Sequence, residues 1–472
     1  MNGLLISAIH KSSGKTTVTV GIAAALNRRG VQVQTFKKGP DYIDPMWLTR
    51  AAGRPCRNLD FYTMSDEDIA GLYQAQSVDA DVSIVEGNKG LFDGVDVEGS
   101  DSNAALVELL GVPVVVVIDT RGMTRGIAPL VTGYQAFAEN FKIAGVILNQ
   151  VGGPRHESKL RAALERYTDM PVLGAVGRHP EIGILERHLG LTPVNETCEA
   201  GRKVDVIADI IEREVDLENL GVAACDTNPC RGGNIKSFGK PAATPDLRIA
   251  IARDRAFGFY YPDDLDAFAR AGAELVPFDA MHDAHLPNVD GLFIGGGFPE
   301  IQAEHLAANS SLRNDIRRSL EAGLPTYAEC GGLMYLCEAM EWQGRRHDMV
   351  GFLPGTAVLH DRPVGRGYVR LRETGAMPWA CDSGNAMMKA HEFHYASIEG
   401  LPDALTYAFD VVRGYGVDGR RDGIIKNNTL ATFSHQRNVG DNQWVARFVD
   451  HVRTYRDRTT GAQSPSAAGG QC

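Results

Sequence analysis

Apolar positions in the first half of the chain fall into short, mostly apolar runs, at 4–6, 81–85, 112–118 and 144–148, bounded by Gly, Asp or Pro. Strands buried on both faces of a parallel sheet read this way. Helix-like stretches such as 18–26 separate the runs, so residues 1–216 predict a doubly wound α/β domain. The rhythm stops at 217–246, where LGVAACDTNPCRGGNIKSFGKPAATPD is rich in small and breaking residues and predicts a linker. A new apolar run, LRIAIARD, opens a second α/β unit over 247–455 that contains DGLFIGGG and LPTYAECGG. Residues 456–472, ending TTGAQSPSAAGGQC, predict a disordered tail, and no tandem repeat is visible.

Composition narrows the function classes. The 472 residues are 44% hydrophobic and 23% charged, enough to build two or three cores. Lys and Arg number 48 against 59 Asp and Glu, a net charge of -11, so no broad basic face is available for nucleic acid or an anionic membrane. No apolar stretch approaches the roughly 20 residues that span a bilayer, and no leader pattern opens the chain, which predicts a cytoplasmic enzyme of small molecules. The eight cysteines then read as reduced thiols. Cys225 and Cys230 form a single pair without partnering histidines, too little for a zinc site.

The loop after the first run reads HKSSGKTT. The phosphate-loop pattern G-x-x-x-x-G-K-[ST] has Ile9 in place of its first glycine, yet strand, loop and helix follow in the required order. Backbone N–H groups through Ser12, Ser13, Gly14, Lys15, Thr16 and Thr17 would enclose an anion at a helix amino terminus. Lys15 would reach the outer phosphates, and the Thr16 hydroxyl would meet Mg²⁺.

A second chemistry lies in LPTYAECGGLMYL, where Cys330 sits between an apolar run and Gly331-Gly332 at a helix start. That order predicts a nucleophile elbow, which lifts the thiol from the sheet. Gly295, Gly296 and Gly297 would form a facing wall that lets a substrate carbonyl approach backbone donors, together with Gly331. His435, in LATFSHQRN, is the candidate general base. HEFHYA carries His391, Glu392 and His394, but H-E-x-H is not the metalloprotease spacing H-E-x-x-H, and packing or substrate contact is the better reading. Phe259, Tyr260 and Tyr261 read as core.

The stretches FKKGPDYIDP, GRPCRNLD, VEGNKGLFDG, GVILNQVG, ERHLGL, FYYPDDL, GGGFPE, YAECGGLMYL and HEFHYA make nearly the whole chain similar to the glutamine-dependent a,c-diamide synthases of corrinoid biosynthesis, the cobyrinic and hydrogenobyrinic acid amidases. The resemblance implies an ATPase domain related to dethiobiotin synthetase joined to a class I glutamine amidotransferase domain. It implies ATP and Mg²⁺ at Lys15 and Thr16, acidic positions for Mg²⁺ and phosphoryl transfer at Asp41, Asp44 and Glu86, and an adenine contact at Asn149. Cys330 matches the glutaminase nucleophile and His435 its base. The implied partners are glutamine and a tetrapyrrole polycarboxylate; a homodimer is left open. Arg54, Arg57, Arg121, Arg125 and Arg187 are candidates to receive the carboxylates.

The chain departs from the family pattern in places. Its loop usually resembles GTxSGVGKTT, so Ala8 and Ser12 replace glycines, and Ser12 at a positive φ would be strained by about 1 kcal/mol. Arg437 stands where many class I amidotransferases place a glutamate two residues after the histidine, so a Cys-His dyad is expected. HKSSGKTT and FSHQRNVGDNQW look like the sirohaem amidase branch of sulfur-oxidising bacteria, which leaves sirohaem beside the corrinoid as substrate. Two other readings stay open: a partition-type switch ATPase, for which Lys11 is suggestive, and cobyric acid synthase.

Overall fold

The computed structural model describes residues 2–182, 186, 187, 190–197, 199–228, 230, 244–379 and 386–461. The chain divides into two compact units, Met1–Phe238 and Gly239–Cys472.

In the first unit the apolar runs become a seven-stranded sheet. Its order is Arg57–Leu59, Val33–Lys38, Val82–Glu86, Gly3–Ala8, Val114–Asp119, Ile143–Val151, Val172–Gly177, parallel throughout. Every residue of Gly3–Ala8 and Val114–Asp119 is buried, which is why neither strand alternates in sequence. The carboxyl ends of the strands place Ala8, Lys38, Glu86 and Asp119 along one edge, where open α/β sheets bind ligands. The stretch read as a linker begins instead with a helix, Leu217–Ala224. Asp216 caps it by accepting from the Asn219 N–H at 3.0 Å, and Leu217, Leu220 and Ala224 bury one face. Three buried apolar residues over eight positions gave too short a stripe to stand out from the small residues around it. Residues 231–243 of that stretch lie outside the described residues.

The second unit is built on a nine-stranded mixed sheet ordered Ala273–Phe278, Leu247–Ala252, Gly291–Ile294, Thr326–Glu329, Thr429–Thr432, Arg421–Lys426, Thr406–Arg413, Gly365–Glu373, Met387–His394. The first five strands are parallel and the rest antiparallel. The last strand curls back, so that His391 forms an antiparallel bridge with His435 just beyond Thr429–Thr432. Cores line both faces, one around Leu333 and Phe433, the other around Phe293, Tyr327 and Trp444. The final helix, Trp444–Gly461, runs past the expected start of the tail at 456, because Arg453 clamps it to Asp246 through two bonds of 2.9 Å. Residues 462–472 lie outside the described residues. Among those described, no helix is long and apolar enough to cross a membrane.

Candidate active sites

The loop at 9–14 turns between strand Gly3–Ala8 and helix Lys15–Arg28 through two positive φ values, 64° at Ser12 and 84° at Gly14. Ser12 therefore adopts the left-handed conformation that glycine takes without strain. The Ser13 hydroxyl donates to the His10 carbonyl at 2.8 Å. Asn149 donates its amide to the Ser13 carbonyl at 2.8 Å, and a Cβ at Gly14 would lie 2.0 Å from that amide nitrogen. Asn149, for which the resemblance implies an adenine contact, thus braces the loop through the Ser13 carbonyl. No side chain caps helix Lys15–Arg28 and its first turn holds no acid, which leaves its N–H groups for an anion.

Around this amino terminus the structure gathers Thr16, Asp44 and Glu86. The Thr16 hydroxyl donates to Glu86 at 2.7 Å and lies 3.4 Å from Asp44. Lys37 holds both carboxylates, at 2.6 Å from Asp44 and 2.7 Å from Glu86. Asp41 stands beside them and accepts from the N–H groups of Ile43 and Asp44 at 2.8 and 3.1 Å. Burial and then the Asp44 charge push Asp41 up to about 7. Burial also raises Glu86, against the pull of Lys37. Burial alone would depress Lys37, but Asp44 and Glu86 outweigh it and hold the ammonium above the ordinary lysine value. Lys15, whose Nζ donates to the Lys89 carbonyl at 3.3 Å, is pushed down to about 8 by burial and by Lys37. Among the described residues no three His, Cys, Asp or Glu side chains converge on one point. A Mg²⁺ held by one or two carboxylates, a hydroxyl, waters and phosphate oxygens needs no such trio. The buried Glu86 Oε2, which has no hydrogen-bond partner, and the adjoining Thr16 hydroxyl suit that coordination.

In the second unit Cys330 ends strand Thr326–Glu329 at φ 49° and ψ -101°, immediately before the short helix Gly331–Leu336. Its N–H donates to the Thr432 carbonyl at 2.7 Å, tying the elbow to the strand that leads to His435. Asp422 shapes that lead, accepting from the N–H groups of Phe433 and Ser434 at 3.0 Å each. The structure brings the Cys330 thiol and the His435 imidazole into hydrogen-bond contact. Nδ1 of His435 lies 3.3 Å from Glu329 Oε2, while Glu329 Oε1 accepts from the Tyr327 hydroxyl at 2.6 Å and the Gln436 N–H at 2.9 Å. Burial opposes a charge on His435, but the bonds to Cys330 and Glu329 prevail and raise it to about 10. A Cβ at Gly296 would come 2.6 Å from His435 Cε1, so only glycine leaves room for the ring. A Cβ at Gly331 would lie 3.3 Å from the Gly297 amide nitrogen, which places these two glycines side by side at the elbow.

Residues 5–190 match the family model of a CobQ/CobB/MinD/ParA nucleotide binding domain, and residues 248–442 that of a CobB/CobQ-like glutamine amidotransferase domain. A cobyrinate a,c-diamide synthase of Magnetococcus marinus is 45% identical over 464 residues, with 98% of each chain covered. The chain belongs to the cobyrinate a,c-diamide synthase family. A relative of the same name from Methanosarcina acetivorans is 40% identical over 487 residues, with 96% of each chain covered. As a member of this family the chain is a glutamine-hydrolysing amidoligase with a nucleotide-binding domain. A switch ATPase has no place for the matched amidotransferase domain.

Where this family member has Arg437 in place of a class I glutamate, the arginine is buried in an ion pair with Asp263 at 2.7 Å. Glu329, the residue before the thiol, stands against the imidazole instead. Sequence reasoning missed both Glu329 and Lys37. The signal for Lys37 was FKKG at the end of a buried strand, since a buried ammonium demands carboxylate partners. Glu392 and His394 of HEFHYA are engaged structurally: Glu392 accepts from the N–H groups of Tyr415 and Gly416 at 2.7 and 2.8 Å, and His394 stacks on Phe433 at 3.9 Å. Tyr260, expected in the core, is half-buried and packs against the core around Phe293, its hydroxyl accepting from the Gly295 N–H at 3.0 Å. The candidate arginines have separate neighbours: Arg54 donates to the Asp79 carbonyl at 2.9 Å, Arg121 pairs with Asp119 at 2.6 Å, and Arg125 lies over Tyr167. Arg57 is buried, and the side chain of Arg187 lies outside the described residues.

Proposed function

We propose that this protein amidates the a and c acetate carboxylates of cobyrinate, using ATP and Mg²⁺ at the first site and ammonia released from glutamine at the second. The observation that carries this reading is the presence on one chain of an anion-enclosing loop beside Thr16, Asp44 and Glu86, and of a thiol bonded to an imidazole. The name shared by the curated relatives supports the corrinoid.

A carboxylate resists attack by ammonia because its own charge shields the carbonyl carbon and oxide is a poor leaving group. Attack of a carboxylate oxygen on the γ-phosphorus of ATP expels ADP and leaves an acyl phosphate; ammonia then displaces phosphate to give the amide. The loop amides of Ser12, Ser13, Gly14, Lys15, Thr16 and Thr17 hold the phosphates and Lys15 neutralises charge on the transferring group. Thr16, Asp44 and Glu86 would hold Mg²⁺, with Asp41 behind them, and the ion supplies charge neutralisation at the phosphoryl oxygens. Asn149 keeps the loop in shape by holding the Ser13 carbonyl.

At the second site the Cys330 sulfur attacks the side-chain amide carbon of glutamine. His435 takes the thiol proton and passes it to the departing ammonia, while backbone N–H groups at Gly296, Gly297 and Gly331 steady the oxyanion. Water then cleaves the thioester to glutamate. Glu329 accepts from Nδ1–H of His435, which fixes the tautomer and turns Nε2 to the thiol. Glu329→Gln should lower kcat for glutamine hydrolysis by about 10²-fold with little change in KM. Because Glu329 raises His435, its loss should also move the alkaline limb of the kcat profile to lower pH, away from the value of about 10. A pH profile that superimposes on the wild type would contradict that role.

The reading is tested by incubating the protein with ATP, Mg²⁺, glutamine and cobyrinate, hydrogenobyrinate, sirohaem or nickel sirohydrochlorin, followed by mass spectrometry. Two exchanges of OH for NH₂ on cobyrinate are expected. Exchange on sirohaem alone would move the substrate, and no exchange on any macrocycle would end the proposal.

A further inference from the structure

We propose that His391 is a positioning residue of the thiol site, its imidazole lying flat against His435 and fixing the plane in which that ring meets Cys330. The inference rests on the assignment of Cys330 and His435 as the glutaminase pair.

The two rings are stacked, with centroids 4.9 Å apart and planes inclined by 17°. Their backbones hold each other in both directions: the His435 N–H donates to the His391 carbonyl at 2.7 Å, and the His391 N–H donates to the His435 carbonyl at 3.3 Å. Strand Met387–His394 thus fixes the backbone of His435 and braces one face of its ring, while Gly296 closes on its Cε1 edge. His391 is braced in turn, since the Tyr261 hydroxyl lies 3.4 Å from its Nδ1 and the Tyr261 ring meets it edge-on at 6.2 Å. Arg437, paired with Asp263, lies over the Tyr261 ring with its guanidinium carbon 5.1 Å from the centroid. Tyr368 is the cross-strand neighbour of His391. The charged and titratable groups around His391 are therefore His435, Arg437, Tyr261 and Tyr368, with Glu329 and Cys330 beyond His435.

Burial, then the charges of His435 and Arg437, hold His391 well below the ordinary histidine value. The stack thus favours a neutral His391 against a charged His435. A neutral aromatic face against an imidazolium favours the charged form, as cations favour ring faces generally. The two effects act together: the face holds the ring in its attack geometry and keeps it protonated for transfer to the leaving ammonia.

The test compares His391→Ala and His391→Phe in the full-length protein, following glutamine hydrolysis and ammonium-dependent amidation in parallel. His391→Ala should lose kcat for glutamine hydrolysis on the order of 10–100-fold with an unchanged KM, and its alkaline limb should move to lower pH. His391→Phe, which keeps a flat face, should recover most of kcat and the wild-type limb. Ammonium-dependent amidation should be unaffected in both. Wild-type glutaminase in His391→Ala, equal losses in both variants, or a parallel fall with ammonium would overturn the inference alone. Absence of glutaminase in the wild type would overturn it together with the functional assignment beneath it.

Discussion

Replacing Cys330 with alanine is expected to abolish glutamine-dependent amidation, by at least about 10⁴-fold, while amidation supplied with a high concentration of ammonium persists. The argument is one of separable chemistry. The thiol forms the only covalent bond to glutamine in the proposed route, and no nearby group can replace it; His435 is committed to its proton and Glu329 to His435. The first site needs a nitrogen nucleophile but not the thiol, because acyl phosphate formation depends on the loop and on Thr16, Asp44 and Glu86. Lys15→Ala should behave oppositely, lowering turnover with both nitrogen sources in parallel by about 10²–10³-fold. Steady-state rates with glutamine and with ammonium for both variants settle the matter. Glutamine-dependent turnover that survives in Cys330→Ala would remove the thiol from the mechanism, and loss of ammonium-dependent turnover in the same variant would show that the two sites are not separable.

The parts of the fold that were legible in sequence are those where a single physical constraint acts along a contiguous stretch. Burial on both faces made strand Val114–Asp119 an unbroken apolar run, and the strand-loop-helix order marked the anion loop. Ser12 stood out because a residue with a Cβ occupies a place where the backbone needs positive φ, and φ is 64° there. What escaped depended on residues distant in sequence. Glu329 is adjacent to Cys330, but its meeting with His435 requires strands Thr326–Glu329 and Thr429–Thr432 to be paired, separated by about a hundred residues of chain. Lys37 could be suspected of needing partners but not of finding Asp44 and Glu86 together, since they come from a helix start and from another strand. His391 was visible as a motif, and only the curl of the last strand back to His435 gives it meaning. Helix Leu217–Ala224 shows the reverse failure, where local composition suggested a linker and burial of three side chains prevailed.

The second large effect is expected at Lys37, and it concerns stability as well as turnover. The ammonium sits with a side-chain exposure of 4% between Asp44, at 15%, and Glu86, at 0%. Lys37→Met keeps much of the volume but strands two carboxylates, one of them fully buried. Breaking a buried pair by removing one partner costs about 3–5 kcal/mol, against a total stability of about 5–15 kcal/mol for a folded domain. For a unit of this size each kcal/mol shifts Tm by about 2–4 °C, so a fall of about 6–20 °C is expected in the transition of the first unit. The sign of the pH dependence follows. With the ammonium gone, the largest pull against the burial that already raises Glu86 and Asp41 is lost, so both carboxyls should bind protons more readily in the folded protein. The variant should therefore regain stability as pH falls below neutrality, where protonation removes the stranded charge. Turnover should drop with both glutamine and ammonium, because the cluster that suits Mg²⁺ is disordered, whereas glutamine hydrolysis at Cys330 should continue. Calorimetric scans of Lys37→Met across pH, with Lys37→Arg as the charge-retaining control, measure each part of this. A Tm within a degree of the wild type, or a destabilisation that grows as pH falls, would show that the two carboxylates do not depend on Lys37 for their charge balance.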